Sequence, residues 1–234
     1  MKSFHHKPSN KSSNSPPDRK PLRQQARHEH LEQIPKKVIK RLSLYLRVLR
    51  NLEMTKVSTI SSQALAESLG FTSAQVRKDL AYFGQFGVPG VGYAVSDLLR
   101  NLERILGTDR EVRVAIVGAG NLGSALMSYG GFARHGVRIV MAFDTDIHKT
   151  GTERGGVWIF PMDSLEERLR AAEIDIVILT VPAEVAQSVA DRLVAAGIAG
   201  ILNFVPIHLR VPTHVRVQYV DLAIEIESLS YYLR

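Results

Sequence analysis

Three glycines and one carboxylate carry the most specific chemistry in this chain. Gly118, Gly120 and Gly123, in the run Gly118-Ala119-Gly120-Asn121-Leu122-Gly123, follow directly on the apolar stretch 112–117 and open an Ala/Leu/Met-rich stretch, 124–129. In a dinucleotide site the first glycine makes a tight turn, the second lets backbone approach a pyrophosphate, and the third packs helix against strand. The helix start adds free N–H groups and a positive dipole end. About twenty residues on, a second apolar run, 137–143, ends in Asp144, where an acid would hold the adenosine ribose hydroxyls. A carboxylate there repels a 2′-phosphate and so favours NAD over NADP. Glycines serving only a tight loop are the plain alternative.

A second constellation is basic. Thr72-Ser73-Ala74-Gln75 has capping-box spacing. Val76, Leu80 and Phe83 fall at helical spacing and should face a core, with Ser73, Gln75, Arg77, Lys78 and Tyr82 projecting elsewhere. A short helix over 63–69, begun by Ser61 or Ser62 and stopped at Gly70, precedes it, so the pair reads as a helix–turn–helix. Arg77 and Lys78 then suit a major groove and its phosphates. The glycine-rich run 83–93 reads as a short hairpin, the wing of a winged-helix domain. Candidate DNA contacts are Tyr45, Arg47, Ser73, Gln75, Arg77, Lys78 and Tyr82. A winged helix used only for protein contacts is the alternative.

These groups need elements to hold them. The chain has 234 residues, enough for two small cores. There is no cysteine, which excludes disulfides, thiolate metal sites and a cysteine nucleophile. No metal site is expected, since His5, His6, His28 and His30 read as solvated. No apolar run approaches a membrane span and there is no signal-like apolar core, so a cytoplasmic location is expected. The net charge of +7 is uneven: residues 1–110 hold 19 Lys and Arg against 9 Asp and Glu, the remainder 11 against 14. A basic first half suggests a polyanionic partner, against the simpler reading of a solvated basic face.

Residues 1–34, with Ser9, Ser12, Ser13, Ser15, Pro16 and Pro17 among scattered Lys, Arg and His, read as a disordered basic leader. Pro35 opens a helix whose Val38, Leu42, Tyr45 and Leu49 share a face, and a linker helix capped by Ser96 carries the stripe Leu98, Leu99, Leu102, Ile105 and Leu106. From 112 onwards strands at 112–117, 137–143, 157–160, 174–181, 200–205 and 215–220 alternate with helices near 121–134, 164–173 and 183–196. The expected fold is α/β: a winged-helix domain over 35–107, a Rossmann-type doubly wound parallel sheet over 108–220, and a final helix over 221–234. Thr180, Pro182 and Asn203, in loops leaving strand ends, are candidate lining of a nicotinamide pocket; ordinary loop packing is the alternative. The last helix is apolar on several faces, with no further strand to cover, so it should dock elsewhere, plausibly on a second subunit.

Several motifs together are similar to the Rex family of bacterial redox-sensing transcriptional repressors, from about Pro35 to the C-terminus. They are Arg41-Leu42-x-x-Tyr45-Leu46-Arg47, the run Gln75-Val76-Arg77-Lys78-Asp79-Leu80-x-Tyr82-Phe83-Gly84, Gly90-Val91-Gly92-Tyr93 and the glycine fingerprint. Phe143-Asp144-x-Asp146, Leu179-Thr180-Val181-Pro182 and Gly200-Ile201-Leu202-Asn203-Phe204 extend the match. The resemblance implies a homodimer with exchanged C-terminal helices, winged-helix DNA-binding domains and Rossmann domains for NAD(H). It implies no enzymatic activity. Palindromic operators would be held by the free or NAD⁺-bound protein and released with NADH. Arg47, Tyr129 and Asp221 match the positions that couple redox state to DNA binding, with Asp221 exchanging between Tyr129 and Arg47 across the dimer. One departure stands out: where the family carries a basic residue before Gly-Val-Gly-Tyr, this chain has Val88-Pro89, which removes a guanidinium expected in the minor groove.

Two rivals remain. An NAD-dependent dehydrogenase would need a general acid/base; His208 and His214 are the nearest candidates, without a catalytic motif, and no substrate domain follows Asn203. A CoA-binding interaction module of the same Rossmann type is the other.

Overall fold

The computed structural model describes residues 34–233, which form two compact units divided between Leu99 and Arg100. The expected leader 1–34 lies outside the described residues except for Ile34, which is buried.

In the first unit, α1 (Lys36–Met54) starts after Pro35 and buries Val38, Leu42, Tyr45 and Leu49, the face set by their spacing. Each such leucine contributes roughly 1.5–3 kcal/mol by leaving water. β1 (Thr59–Ile60) leads into α2 (Ser62–Glu67), whose N-cap Ser61 accepts the Ala64 N–H at 3.0 Å. α3 (Ser73–Ala81) is capped by Thr72, which accepts the Gln75 N–H at 3.2 Å. Only this half of the expected capping box forms, because the Gln75 amide turns to Asp79 instead, at 2.7 Å. Val76 and Leu80 are buried as expected, whereas Phe83 lies beyond the helix end and is only half-buried. β2 (Tyr93–Ala94) pairs antiparallel with β1. The expected hairpin closes just before it, where Val88 and Gly92 exchange backbone bonds around Pro89-Gly90. Proline at the first corner and Gly90 at φ +80° suit a type II turn.

α4 (Val95–Leu106) runs from the first unit into the second, so the division falls within the linker helix rather than at its end. It begins one residue before the expected cap Ser96, at Val95, whose N–H bonds Ser58 O at 2.9 Å.

The second unit is built on a seven-stranded sheet. Its strands are β3 (Val112–Val117), β4 (Val137–Asp144), β5 (Glu153–Arg154), β6 (Val157–Pro161), β7 (Ile176–Leu179), β8 (Gly200–Asn203) and β9 (Arg216–Tyr219), in the order β5-β6-β4-β3-β7-β8-β9. All pairings are parallel except β5–β6, an edge hairpin absent from the expected strands. Two glycines, Gly155 at φ +59° and Gly156 at φ +80°, form its two-residue turn. The helices are α5 (Asn121–Met127), α6 (Leu165–Ala171), α7 (Ala183–Ala195) and α8 (Leu222–Tyr231). α5 is about half the expected length, because Gly130-Gly131 follows its cap and the chain continues in a 3-10 turn, Ala133–His135. The strands expected over 174–181, 200–205 and 215–220 are shorter, their outer residues serving as turns.

Residues alternate across the sheet as period two requires. Ala115, Val117, Phe143 and Leu179 pack with Leu165, Leu169 and Leu193 on one face. Val114, Ile116, Ile159 and Ile178 pack with Met127 on the other. Covering both faces explains the continuous apolar runs. Strand order reverses at β3, since the chain builds outward through β4 and β6 and then returns to place β7 on the other side of β3. That reversal opens a crevice at the strand ends, where nucleotides bind in such sheets. The apolar side chains of α8 lie in solvent: Leu222, Ile224, Ile226 and Leu229 are exposed, as is Leu233 just past its end.

Candidate dinucleotide and nucleic-acid sites

The glycine fingerprint sits at the reversal point, between the end of β3 and the start of α5. Gly118 has φ +101°, and a Cβ there would stand 2.5 Å from Thr180 O. A Cβ on Gly123 would run into the Gly118 carbonyl oxygen. A Cβ on Gly120 would meet nothing within 4 Å. Two glycines are thus fixed by close packing, while the middle one faces open space. Ala119 is buried behind the turn, with Asn121 and Leu122 exposed on its rim. These features fit a pyrophosphate against backbone.

Asp144, ending β4, is tied into the same turn. Its Oδ2 accepts the Ala119 N–H at 2.7 Å and its Oδ1 the Asp146 N–H at 2.8 Å. Lys149 Nζ stands 3.4 Å from Asp144 and 3.6 Å from Asp146. The Asp146 carboxyl is held below the usual range by the His148 N–H and by Lys149. Thr180 braces the turn from behind, donating its hydroxyl to Gly118 O at 2.8 Å. Pro182 is exposed at the start of α7.

Asn203 requires a correction. It is buried, and its amide is spent on its own loop: Nδ2 donates to Val205 O at 3.0 Å and Ile207 O at 3.1 Å, while Oδ1 accepts the Val205 N–H at 2.9 Å. It shapes the loop after β8 rather than lining a pocket. Arg154 was missed by sequence reasoning: β5 brings its guanidinium to Ser124 Oγ on α5, at 2.8 Å.

In the first unit α3, the second helix of the helix–turn–helix pair, is anchored by a buried charge. Asp79 is fully buried and receives Arg41 through two bonds, at 2.5 and 2.8 Å, with the Tyr45 hydroxyl at 2.8 Å and Gln75 at 2.7 Å. Burial pushes the Asp79 carboxyl up, but the bonds from Arg41, Tyr45 and Gln75 outweigh it and hold the group below its ordinary value. Tyr45 is pushed well above the ordinary phenol range by burial and by its bond to Asp79. Tyr45 is therefore corrected from a DNA contact to an internal brace: its ring is buried and its hydroxyl is taken. The Gln75 amide is half-buried and partly committed in the same way.

The remaining candidates stay outward. Arg47, Arg77, Lys78 and Tyr82 are exposed, and Ser73 is half-buried near the start of α3. Arg77 Nη1 donates to Ser62 Oγ at 3.0 Å, beside a groove of about 650 Å³ bordered by α3 and the hairpin 88–92. The hairpin tip offers Val88 and Val91, both exposed, where a cation was expected. In the second unit Tyr129 is exposed against the edge of Phe132, and Asp221 caps α8 by accepting the Ala223 N–H at 2.9 Å. The His208 ring stacks on Tyr219. Among the described residues no cluster of acids and histidines is placed to hold a metal, and no helix is long and apolar enough to cross a membrane.

A recognition helix with an antiparallel wing, continued in the same chain by a Rossmann sheet with a dinucleotide fingerprint, defines a class: transcription regulators built around a nucleotide sensor. Comparison with known proteins narrows it. A family model described as "CoA binding domain" matches residues 109–207, and one described as "Putative DNA-binding protein N-terminus" matches 33–81. The redox-sensing transcriptional repressor Rex of Carboxydothermus hydrogenoformans is 49% identical over 201 residues, covering 86% of this chain and 97% of that protein. The Rex repressor of Syntrophobacter fumaroxidans is 47% identical over 86% of this chain and 96% of its own length. Among solved structures, RSP in complex with β-NAD⁺ and operator DNA matches with a TM-score of 0.80 at 40% identity, over 86% of this chain and 92% of that one. RSP in complex with β-NADH matches at 0.75 and 39%, over 86% of this chain and 94% of that one. The chain belongs to the Rex family of redox-sensing transcriptional repressors, a family of regulators rather than enzymes.

Proposed function

We propose that this chain represses transcription by holding palindromic operator DNA as a homodimer and lets go when NADH, rather than NAD⁺, fills the crevice at the end of β3. The observation that carries this reading is the presence, in one chain, of a pinned acid at a glycine fingerprint and an exposed Arg77-Lys78 pair on a capped recognition helix. The complexes of RSP with β-NAD⁺ and operator DNA and with β-NADH support it. Gly118 to Gly123 receive the pyrophosphate, Asp144 the adenosine ribose, and Thr180 and Pro182 border the nicotinamide end. The coenzyme brings a ring that is cationic when oxidised and neutral when reduced. A dry pocket closed by a second subunit disfavours the cation, because burying an unpaired charge is costly. Only that difference in affinity can shift the dimer between forms.

The exposed apolar α8 is the segment exchanged between subunits, with Asp221 at its start moving between Tyr129 and Arg47 as the redox state changes. The working boundaries are 35–107 for DNA binding, 108–220 for NAD(H) and 221–234 for exchange. A cytoplasmic location goes with this reading, since the operator DNA must be within reach.

Arg77→Ala should weaken operator binding by about 1–3 kcal/mol, roughly 5- to 150-fold, with NADH affinity within about twofold. Gel shifts and calorimetric NADH titration measure the two quantities on the same preparation. Unchanged operator affinity would remove α3 from the interface.

A further inference from the structure

Arg110 and Asp175 stand at the end of the sheet opposite the glycine fingerprint, just before β3 and β7 begin. We propose that they are positioning residues for release: their ion pair fixes the root of the linker helix α4 on the sheet, so that a coenzyme-driven shift of the strands is passed into α4. The proposal rests on the reading that NADH releases the operator, and it names residues that carry that effect.

α4 continues from the first unit into the second and ends at Gly107, which has φ +67°. The Thr108 N–H closes the turn on Glu103 O at 2.9 Å. Residues 108–111 then lead into β3. The Thr108 hydroxyl has no partner, and Glu111 stands 3.9 Å from Arg113 and 3.7 Å from Arg138. Arg110, by contrast, makes a bidentate contact with Asp175, at 3.0 and 2.5 Å. Asp175 is itself fixed: its carboxylate accepts the Arg113 N–H at 2.9 Å, and its own N–H bonds Arg113 O at 2.9 Å. The Arg113 guanidinium adds a bond to Ala172 O at 2.7 Å. From this clamp β3 and β7 run side by side towards the crevice, where β3 leads to Gly118 and β7 to Thr180, whose hydroxyl bonds Gly118 O. A displacement of either strand at the crevice therefore arrives at Asp175, and through Arg110 at the root of α4. Arg110 is largely exposed, so the pair adds little to folding. Its loss should loosen the root of α4 and leave the sheet intact.

The experiment measures a coupling factor, the operator Kd at saturating NADH divided by that without coenzyme. Linkage requires the same factor between NADH affinities without and with operator, so each value is checked twice. Fluorescence anisotropy on a palindromic operator and calorimetric NADH titration are run on full-chain wild type, Arg110→Ala, Asp175→Asn and the double variant. Asp175→Asn keeps an oxygen for the Arg113 N–H, and Arg110→Ala leaves that bond untouched. Both should keep the two separate affinities within about twofold and lower the coupling factor about 2- to 30-fold. The double variant should lose no more than either single one, because one interaction is removed in all three. Arg138→Ala removes an equally exposed cation at the same end of the sheet and should change nothing. An unchanged coupling factor in either single variant, additive losses in the double variant or an equal loss in Arg138→Ala overturns the proposal. Separate affinities that fall as far as the coupling factor do the same, and in each case release of wild type by NADH still stands. A wild type that NADH does not release overturns the proposal together with the reading beneath it.

Discussion

Asp79→Ala should destabilise the DNA-binding unit by about 3–5 kcal/mol, the usual consequence of removing one partner from a buried, hydrogen-bonded charge pair. The carboxylate is fully buried and receives four bonds from three side chains, Arg41 and Tyr45 on α1 and Gln75 on α3. Without it the Tyr45 hydroxyl is buried with no acceptor, and Arg41, partly exposed, can rehydrate only in part. The effect on operator binding should exceed that of any single surface cation, because α3 loses its brace on the helix that carries Arg47. The same group predicts an acid limit. Its folded-state pKa is depressed, so its contribution is present above the ordinary carboxylate pKa and disappears as pH falls through the folded value. Thermal unfolding of the two proteins at neutral and acid pH measures both effects. Equal midpoints at neutral pH would mean that the pair contributes nothing.

Gly123→Ala should uncouple the two activities. The added methyl would run into the Gly118 carbonyl oxygen, so α5 must retreat from the turn or the turn must open. Overpacking at so tight a contact costs about 1–3 kcal/mol, and the displaced backbone is the surface proposed to receive the pyrophosphate. NADH affinity should fall about 5- to 150-fold, the equivalent of the same ~1–3 kcal/mol. Operator binding, carried by the other unit, should persist, giving a repressor that NADH no longer releases. NADH titration and gel shift on one preparation test this, and an NADH affinity within about twofold of wild type would contradict the packing argument.

The parts of this molecule that were legible in the sequence are those set by local rules. Runs such as 112–117 and 137–143 are apolar throughout because both faces of a parallel sheet are covered, and the fingerprint shows because each glycine answers a separate steric demand. α8 showed as a helix without a partner because apolar residues lie on several of its faces.

What stayed hidden depends on meetings far apart in the chain. Asp79 is one polar residue among several in Gln75-Val76-Arg77-Lys78-Asp79, and only the packing of α1 on α3 makes it the buried anchor, 38 residues from Arg41. That packing also takes Tyr45 out of reach of any ligand. Asn203 has the side chain of a ligand contact, yet a turn two residues on uses up its amide. Gly155-Gly156 was a readable hairpin signal, obscured because its first strand, Glu153–Arg154, has no apolar residue. Lys149 lay five residues past Asp144 with no pattern to mark it, and only the turn 146–152 brings the two together.

The central claim is that the reduced coenzyme, and not the oxidised one, releases the operator. A gel shift of the full chain on a palindromic operator, titrated separately with NAD⁺ and NADH, tests it most directly. The account predicts release by NADH at concentrations at least about tenfold below any at which NAD⁺ acts, since only differential affinity can move the equilibrium. Release by both at the same concentration, or by neither, would contradict it.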